Sequence, residues 1–384
     1  MKNYYWIILC VFCFGCLAPK TFFAKLENTD NDLLNTVFNS PSNYNLQIIY
    51  SEIKRNPDGT VEFKDHFYHV DDNLYFYPAS TVKLPVAVLA LEKLKELREK
   101  EQLQISKETP YKIEGDSLTY TIRNDVEAIF AVSDNDAFNR LYEFLGPDEI
   151  NSKLRTKGLS PVRISHRLSV DDAFNLETKA ISFYEDKDDI TSLVTLPNSH
   201  NSKIEELELK EMKKGIGYFQ NDTLINAPFD FSLKNYFPLS VQHNLMKHLF
   251  FAENYKLSSR FNLDSEDKDF LFEAMSTLPK DVGYDEEEYY DSYGKFFMFG
   301  DSKQPIPEHV KIYNKVGYAY GTLTETAYIK DESHNVEFIL SATILVNKNQ
   351  IFNDNIYEYD TIGIPFFAEL GRTIYAHELE QNIK

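Results

Sequence analysis

Tyr77-Pro78-Ala79-Ser80-Thr81-Val82-Lys83-Leu84-Pro85 sets a hydroxyl at the mouth of an apolar stretch and an amine three residues later. Residues 84–91 are apolar on every side, the pattern of a helix buried all round. Pro85 is tolerated because it falls in the first turns, where a missing N–H costs little. From Glu92 to Glu101 the helix turns charged and leaves the core. Positions i and i+3 of a helix share a face, so the Ser80 hydroxyl and the Lys83 amine are expected to meet. A lysine whose pKa is lowered by burial and by cationic neighbours can take a serine proton. Alone, S-x-x-K is common and reads most plainly as a capping serine beside a solvated lysine. Its weight depends on the rest of the chain.

On the N-terminal side, residues 45–51 and 61–70 read as two strands around the turn Asn56-Pro57-Asp58-Gly59, a hairpin over 44–70. Before them, Leu26, Leu33, Leu34, Val37 and Phe38 have helical spacing. On the C-terminal side, 117 to about 158 reads as helical. One helix is expected from Asp125 to Leu145, ending at Gly146-Pro147, and a shorter one stops at Gly158. Residues 310–316, 322–329 and 336–346 run apolar or alternate with β-branched residues, as strands do. Phe366, Phe367, Leu370 and Ile374 predict a closing amphipathic helix. The expected class is α/β: an antiparallel sheet built from both chain ends, flanked by helices, with a helical region inserted between. One domain is expected over 25–384, with an insertion within 180–305.

The 384 residues are 43% hydrophobic, enough for a large core. A formal charge of -20 speaks against nucleic-acid binding, which needs a basic surface. The acidic run 285–288 reads as solvated surface. All three cysteines, Cys10, Cys13 and Cys16, lie in the first 16 residues, so the body has no disulfide framework and no cysteine metal site. Lys2 followed by the apolar run 4–15 is too short to span a bilayer and fits a secretory signal over 1–18. Gly15-Cys16 is similar to the end of a bacterial lipoprotein signal, whose cysteine becomes lipidated. Cys13 and Phe14 depart from that pattern, and simple cleavage after Ala18 is the alternative, which Pro19 disfavours.

Two further elements give the opening stretch partners. Ser133-Asp134-Asn135 falls in the helical region, and Lys315-Val316-Gly317 closes a predicted strand. S-x-x-K, S-D-N and K-T-G, in that order, mark the class A β-lactamases and penicillin-binding proteins. The chain resembles this family over roughly 70–160 and 305–350, down to Tyr77-Pro78-Ala79 before the serine and Ala137 and Asn139 after the second motif. The resemblance implies Ser80 as the acylated nucleophile and Lys83 as its general base. It implies Ser133 as the proton relay to the leaving nitrogen and Asn135 as the residue holding Lys83 and the substrate amide. Lys315 would bind the substrate carboxylate and poise Ser133. Gly317 would let the substrate backbone approach the strand, and the backbone N–H groups of Ser80 and Tyr318 would form the oxyanion hole.

Two departures stand out. Val316 replaces the usual threonine or serine, so a hydroxyl expected at the substrate carboxylate is missing. The E-x-x-L-N whose glutamate activates the deacylating water is absent from the sequence; Glu177 is the nearest candidate, with Asp171 and Asp172 behind it.

Histidines give no metal pattern: His243 and His248 are five apart on a helix, and His66 and His69 three apart on a strand. His166 near the expected cleft reads first as a loop or packing residue, and Tyr289, Tyr290 and Tyr293 as packing or surface residues. No cofactor is expected, and the chain is expected to be a monomer. The function expected from the resemblance is an exported serine hydrolase, periplasmic or held at the envelope through lipidated Cys16, that opens β-lactams through a Ser80 acyl-enzyme. The alternatives are a D-Ala-D-Ala peptidase or another amide or ester hydrolase, and a non-catalytic envelope lipoprotein that binds peptidoglycan fragments.

Overall fold

Residues 44–70 form the expected hairpin in the computed structural model, which describes residues 22–26, 29–188 and 191–382. The predicted export signal over 1–18, with Cys10, Cys13 and Cys16, lies outside the described residues. Two short helices, α1 (Phe22–Leu26) and α2 (Asp32–Phe38), precede the hairpin strands β1 (Gln47–Arg55) and β2 (Val61–Tyr68). The apolar stretch becomes α3 (Lys83–Glu101), every residue of which from Lys83 to Glu92 is buried. A short strand β3 (Tyr111–Ile113) then leads to α4 (Ile122–Ala131), α5 (Asn135–Leu145) and α6 (Pro147–Thr156).

The single helix expected over 125–145 is thus two. Ser133 sits at φ 59°, a left-handed turn that no helix continues through. Asp134 then caps α5, its carboxylate accepting from the Ala137 N–H at 2.7 Å. Capping chemistry outweighs the apolar periodicity that runs across the break.

The strands β4 (Ile181–Phe183) and β5 (Val194–Leu196) join β3 in a small antiparallel sheet. Next come β6 (Lys213–Lys214), β7 (Gly217–Gln220), β8 (Thr223–Ile225) and β9 (Phe229–Asp230). Two helices follow, α7 (Leu239–Phe250) and α8 (Ser265–Ser276). The chain closes with β10 (Val310–Ala319), β11 (Thr322–Asp331), β12 (Val336–Leu345), β13 (Ile351–Phe352) and α9 (Ile364–Asn382).

The main sheet has the order β10-β11-β12-β1-β2 and is antiparallel throughout. Both chain ends build it, because β12 pairs with β1. One face carries Ile48, Tyr50, Leu340 and Ile344 against Leu34 and Val37 of α2 and Phe366, Leu370 and Ile374 of α9. α7 packs on the other face. Within 180–305, α7 lies on the main sheet and α8 on β10 and α4, while β6–β9 lie outside that core. Among the described residues no helix is long and apolar enough to cross a membrane.

Candidate active site

Ser80 lies on the 3-10 turn Ala79–Val82, which runs straight into α3. Ala79 has φ 45°, a strained left-handed value held by its surroundings. β10 presses against this turn at Gly317. A Cβ there would come within 2.6 Å of the Pro78 carbonyl, 2.8 Å of the Ser80 nitrogen and 2.9 Å of the Thr81 nitrogen. Sequence reasoning has this glycine admit a substrate backbone. Its first service is to admit the turn that carries Ser80, bringing the backbone at Gly317 beside that residue.

The break between α4 and α5 points its side chains at the same place. The Lys83 ammonium donates to the Asn135 amide oxygen at 2.7 Å, to Ser133 Oγ at 3.3 Å and to the Ser133 carbonyl. Lys315 donates to Ser133 Oγ at 2.9 Å. One hydroxyl is therefore shared by two lysines drawn from opposite ends of the chain. The expected Ser80–Lys83 hydrogen bond is not formed: the three donors of Lys83 go to Ser133 and Asn135, whose positions the tetrapeptide alone does not specify.

Burial pushes Lys83 down to about 7, although Asp134 and Asp136 pull the other way. Burial also holds Lys315 well below its ordinary value, with help from Lys83 and Lys295. Near pH 7 the Lys83 amine is thus neutral in a large share of molecules, with a lone pair free to take a proton.

Behind Lys315 is a buried polar network with little sequence signal beyond a charged residue in the middle of an apolar strand. Lys295 donates to the carbonyls of Met275 and Ile312 and to Asn314 Oδ1 at 2.7 Å. Asn314 donates on to Glu325, which also accepts from the Phe297 N–H at 2.7 Å. Burial raises Glu325 to about 8 and lowers Lys295 to about 7.

Ser80, Asn135 and Tyr318 open onto a cavity of about 620 Å³ whose far wall is the segment 166–173. That segment is pinned at three places. Asn139 exchanges two hydrogen bonds with the Leu168 backbone, at 2.8 and 2.9 Å. Arg167 pairs with buried Glu143 and donates to the carbonyls of Asn175 and Glu177, both at 2.8 Å. Ser169 Oγ accepts from Asn135 at 3.1 Å.

Glu177 is not brought to Ser80. Arg167 holds its backbone, and its carboxylate faces solvent beside His200, 3.5 Å away. Of the acidic candidates, Asp171 lines the cleft, while Asp172 and Glu177 do not. His166, read from sequence as a loop or packing residue, lines the cleft too. Its Nδ1 lies 2.6 Å from the Arg167 carbonyl, so that nitrogen carries the proton. Its buried Nε2 is left as an acceptor with no partner among the described residues. Val316 belongs to the apolar cluster between the sheet and α9 and also borders the second opening beside Ser133.

Residues 50–199 match the model of the β-lactamase enzyme family, a segment that holds Ser80, Lys83, Ser133 and Asn135. The chain resembles the β-lactamase-like serine hydrolases, and its antiparallel sheet with flanking helices is the mixed fold that this resemblance implies. No curated protein matches it. Among solved structures, a class A β-lactamase from Mycobacterium abscessus is 14% identical, with a TM-score of 0.47, covering 86% of this chain and 93% of that one. A β-lactamase from Burkholderia ambifaria is 14% identical at TM-score 0.46, covering 87% and 96%. A halotolerant bacterial β-lactamase is 14% identical at TM-score 0.49, covering 92% and 100%.

Proposed function

We propose that this chain is an exported serine hydrolase that opens β-lactam amides through an acyl-enzyme on Ser80. The observation that supports it most is the shared hydroxyl of Ser133, held by Lys315 at 2.9 Å and Lys83 at 3.3 Å beside the cleft that contains Ser80. Neutral Lys83 takes the Ser80 proton as Oγ attacks the carbonyl carbon. The C–N bond breaks, and Ser133 passes its proton to the leaving nitrogen while Lys83 returns one to Ser133. Lys315 is placed to pair with the substrate carboxylate, whose negative charge favours the protonated amine, and the N–H groups of Ser80 and Tyr318 are the donors for the developing oxyanion. Water then cleaves the ester and restores Ser80. No metal or organic cofactor takes part in this reading. Action in the periplasm or at the envelope, with Cys16 as a lipid anchor, belongs to the same proposal and is tested by labelling with palmitate.

A chromogenic cephalosporin assay with intact-protein mass spectrometry tests the chemistry. Rapid turnover that Ser80→Ala abolishes supports the proposal. A long-lived adduct on Ser80 instead supports a D-Ala-D-Ala peptidase-like enzyme, the reading favoured by the displacement of Glu177 from the cleft. Wild-type protein with neither turnover nor adduct sinks both and leaves an envelope protein that binds peptidoglycan fragments.

A further inference from the structure

At the far end of the main sheet, His309 precedes β10, Asp331 ends β11, and His334 lies in the turn to β12. We propose that these three side chains form a binding site for a divalent transition-metal ion, with Zn²⁺ the best fit. The ligand atoms of all three lie within 4.8 Å of one another. His334 Nδ1 is 2.8 Å from Asp331 Oδ2, and His309 Nε2 is 3.7 Å from the same oxygen. Ligands about 2.0–2.1 Å from a tetrahedral zinc stand roughly 3.3 Å apart, inside this range. Both imidazoles are well exposed, so their rings can close the remaining difference.

The donor set is two imidazoles and one carboxylate. Imidazole suits zinc and its neighbours in the first transition row, and the harder alkaline-earth ions prefer oxygen. Three protein ligands leave the fourth position to water on the exposed side.

The carboxylate is set in advance. Asp331 is fully buried, its Oδ1 accepting from the His334 N–H at 3.1 Å and its Oδ2 from the Tyr375 hydroxyl at 2.5 Å. Outer hydrogen bonds of this kind orient a ligating carboxylate. The turn is tied down as well, since Asn382 of α9 donates to the carbonyls of Asn335 and His334. An ion here would tie the start of β10 to the β11–β12 turn, which α9 already backs. It would take the place of the proton between His334 and Asp331.

From His309 to Lys315 is six residues of strand, about 20 Å at roughly 3.3 Å per residue. The ion is therefore a staple and takes no part in acyl transfer, and its test is separable from that of the hydrolase. Chelator-stripped full-length protein is titrated with ZnCl₂ by calorimetry, alongside a double variant, His309→Ala with His334→Ala. The expected result is one zinc equivalent fewer in the double variant. Each single variant should bind at least about tenfold more weakly, and zinc should raise the thermal midpoint of the wild type but not of the double variant. The same stoichiometry and affinity in wild type and double variant overturns the proposal. Because Asp331 is buried, the two histidines carry the test, and unchanged circular dichroism of the double variant shows that it folds. Co²⁺ gives a second readout: intense visible bands of a four-coordinate site in the wild type, absent from the double variant. Featureless spectra in both count against the site.

Discussion

In the proposed reaction a single amine, that of Lys83, sets the pH dependence. It acts as a base only when neutral, and burial brings its pKa down to about 7. The rate of acylation should therefore rise with pH through about 7 and level off above it; a stopped-flow pH profile flat from 5 to 9 would contradict the assignment. Lys83→Ala should slow acylation by about 10² to 10⁴, the usual contribution of a positioned base. In the proposed reaction, release of the acyl group falls to other residues. Glu177→Gln should leave steady-state turnover unchanged, since its carboxylate sits beside His200 and outside the cleft. His166 lies in the cleft wall, and its buried acceptor nitrogen has no partner among the described residues, so a shift of that wall that admits water would set a base beside it. His166→Ala should keep the acylation burst and lower the steady rate. A burst reduced in proportion to the steady rate would show that His166 only supports the cleft wall.

Among the elements, the closest fit is between β10 and the turn that carries Ser80. Gly317→Ala would place a methyl 2.6–2.9 Å from three backbone atoms of that turn, none of which can swing aside. Strand and turn must then separate, so acylation should fall by at least about a hundredfold even where the thermal midpoint drops only a few degrees. A variant with wild-type burst kinetics would show that the contact is relaxed in solution. The α4–α5 break is the other decisive junction. Asp134→Ala removes the cap of α5 and should cost about 1 kcal/mol by urea unfolding. The cap also sets where Asn135 begins its helix, so the Lys83–Asn135 hydrogen bond depends on it.

Over the whole molecule, the cleft is a meeting of three distant parts of the chain: the start of α3, the α4–α5 break and β10. Its outer wall is held by Arg167 against Glu143, with both side chains nearly inaccessible. Removing one member of a buried pair leaves the other unpaired, at about 3–5 kcal/mol. Arg167→Ala should therefore lower denaturant stability by that amount and loosen residues 166–177 to proteolysis; an unchanged cleavage pattern would mean that the remaining ties, from Asn139, Asn135 and Asn235, hold the segment. The hairpin, the three late strands, the buried α3 and the closing α9 were all legible beforehand, because period 2, period 3.6 and all-round apolarity are local properties of sequence. So was the order Ser80–Lys83, Ser133–Asn135, Lys315–Gly317, which needs only motif and spacing. The helix break at Ser133 was missed because it is a φ value and a cap set inside an unbroken apolar rhythm. The partners of Lys83, the outward turn of Glu177, the place of His166 in the cleft wall and the meeting of His309 with Asp331 and His334 depend on contacts between residues far apart in the chain or on side-chain direction. By itself the sequence determined which residue types could do the chemistry and which segments are strands and helices. Only the tertiary structure decided which of those residues face one another, because long-range packing, burial and the pinning of the 166–177 segment set both direction and pKa.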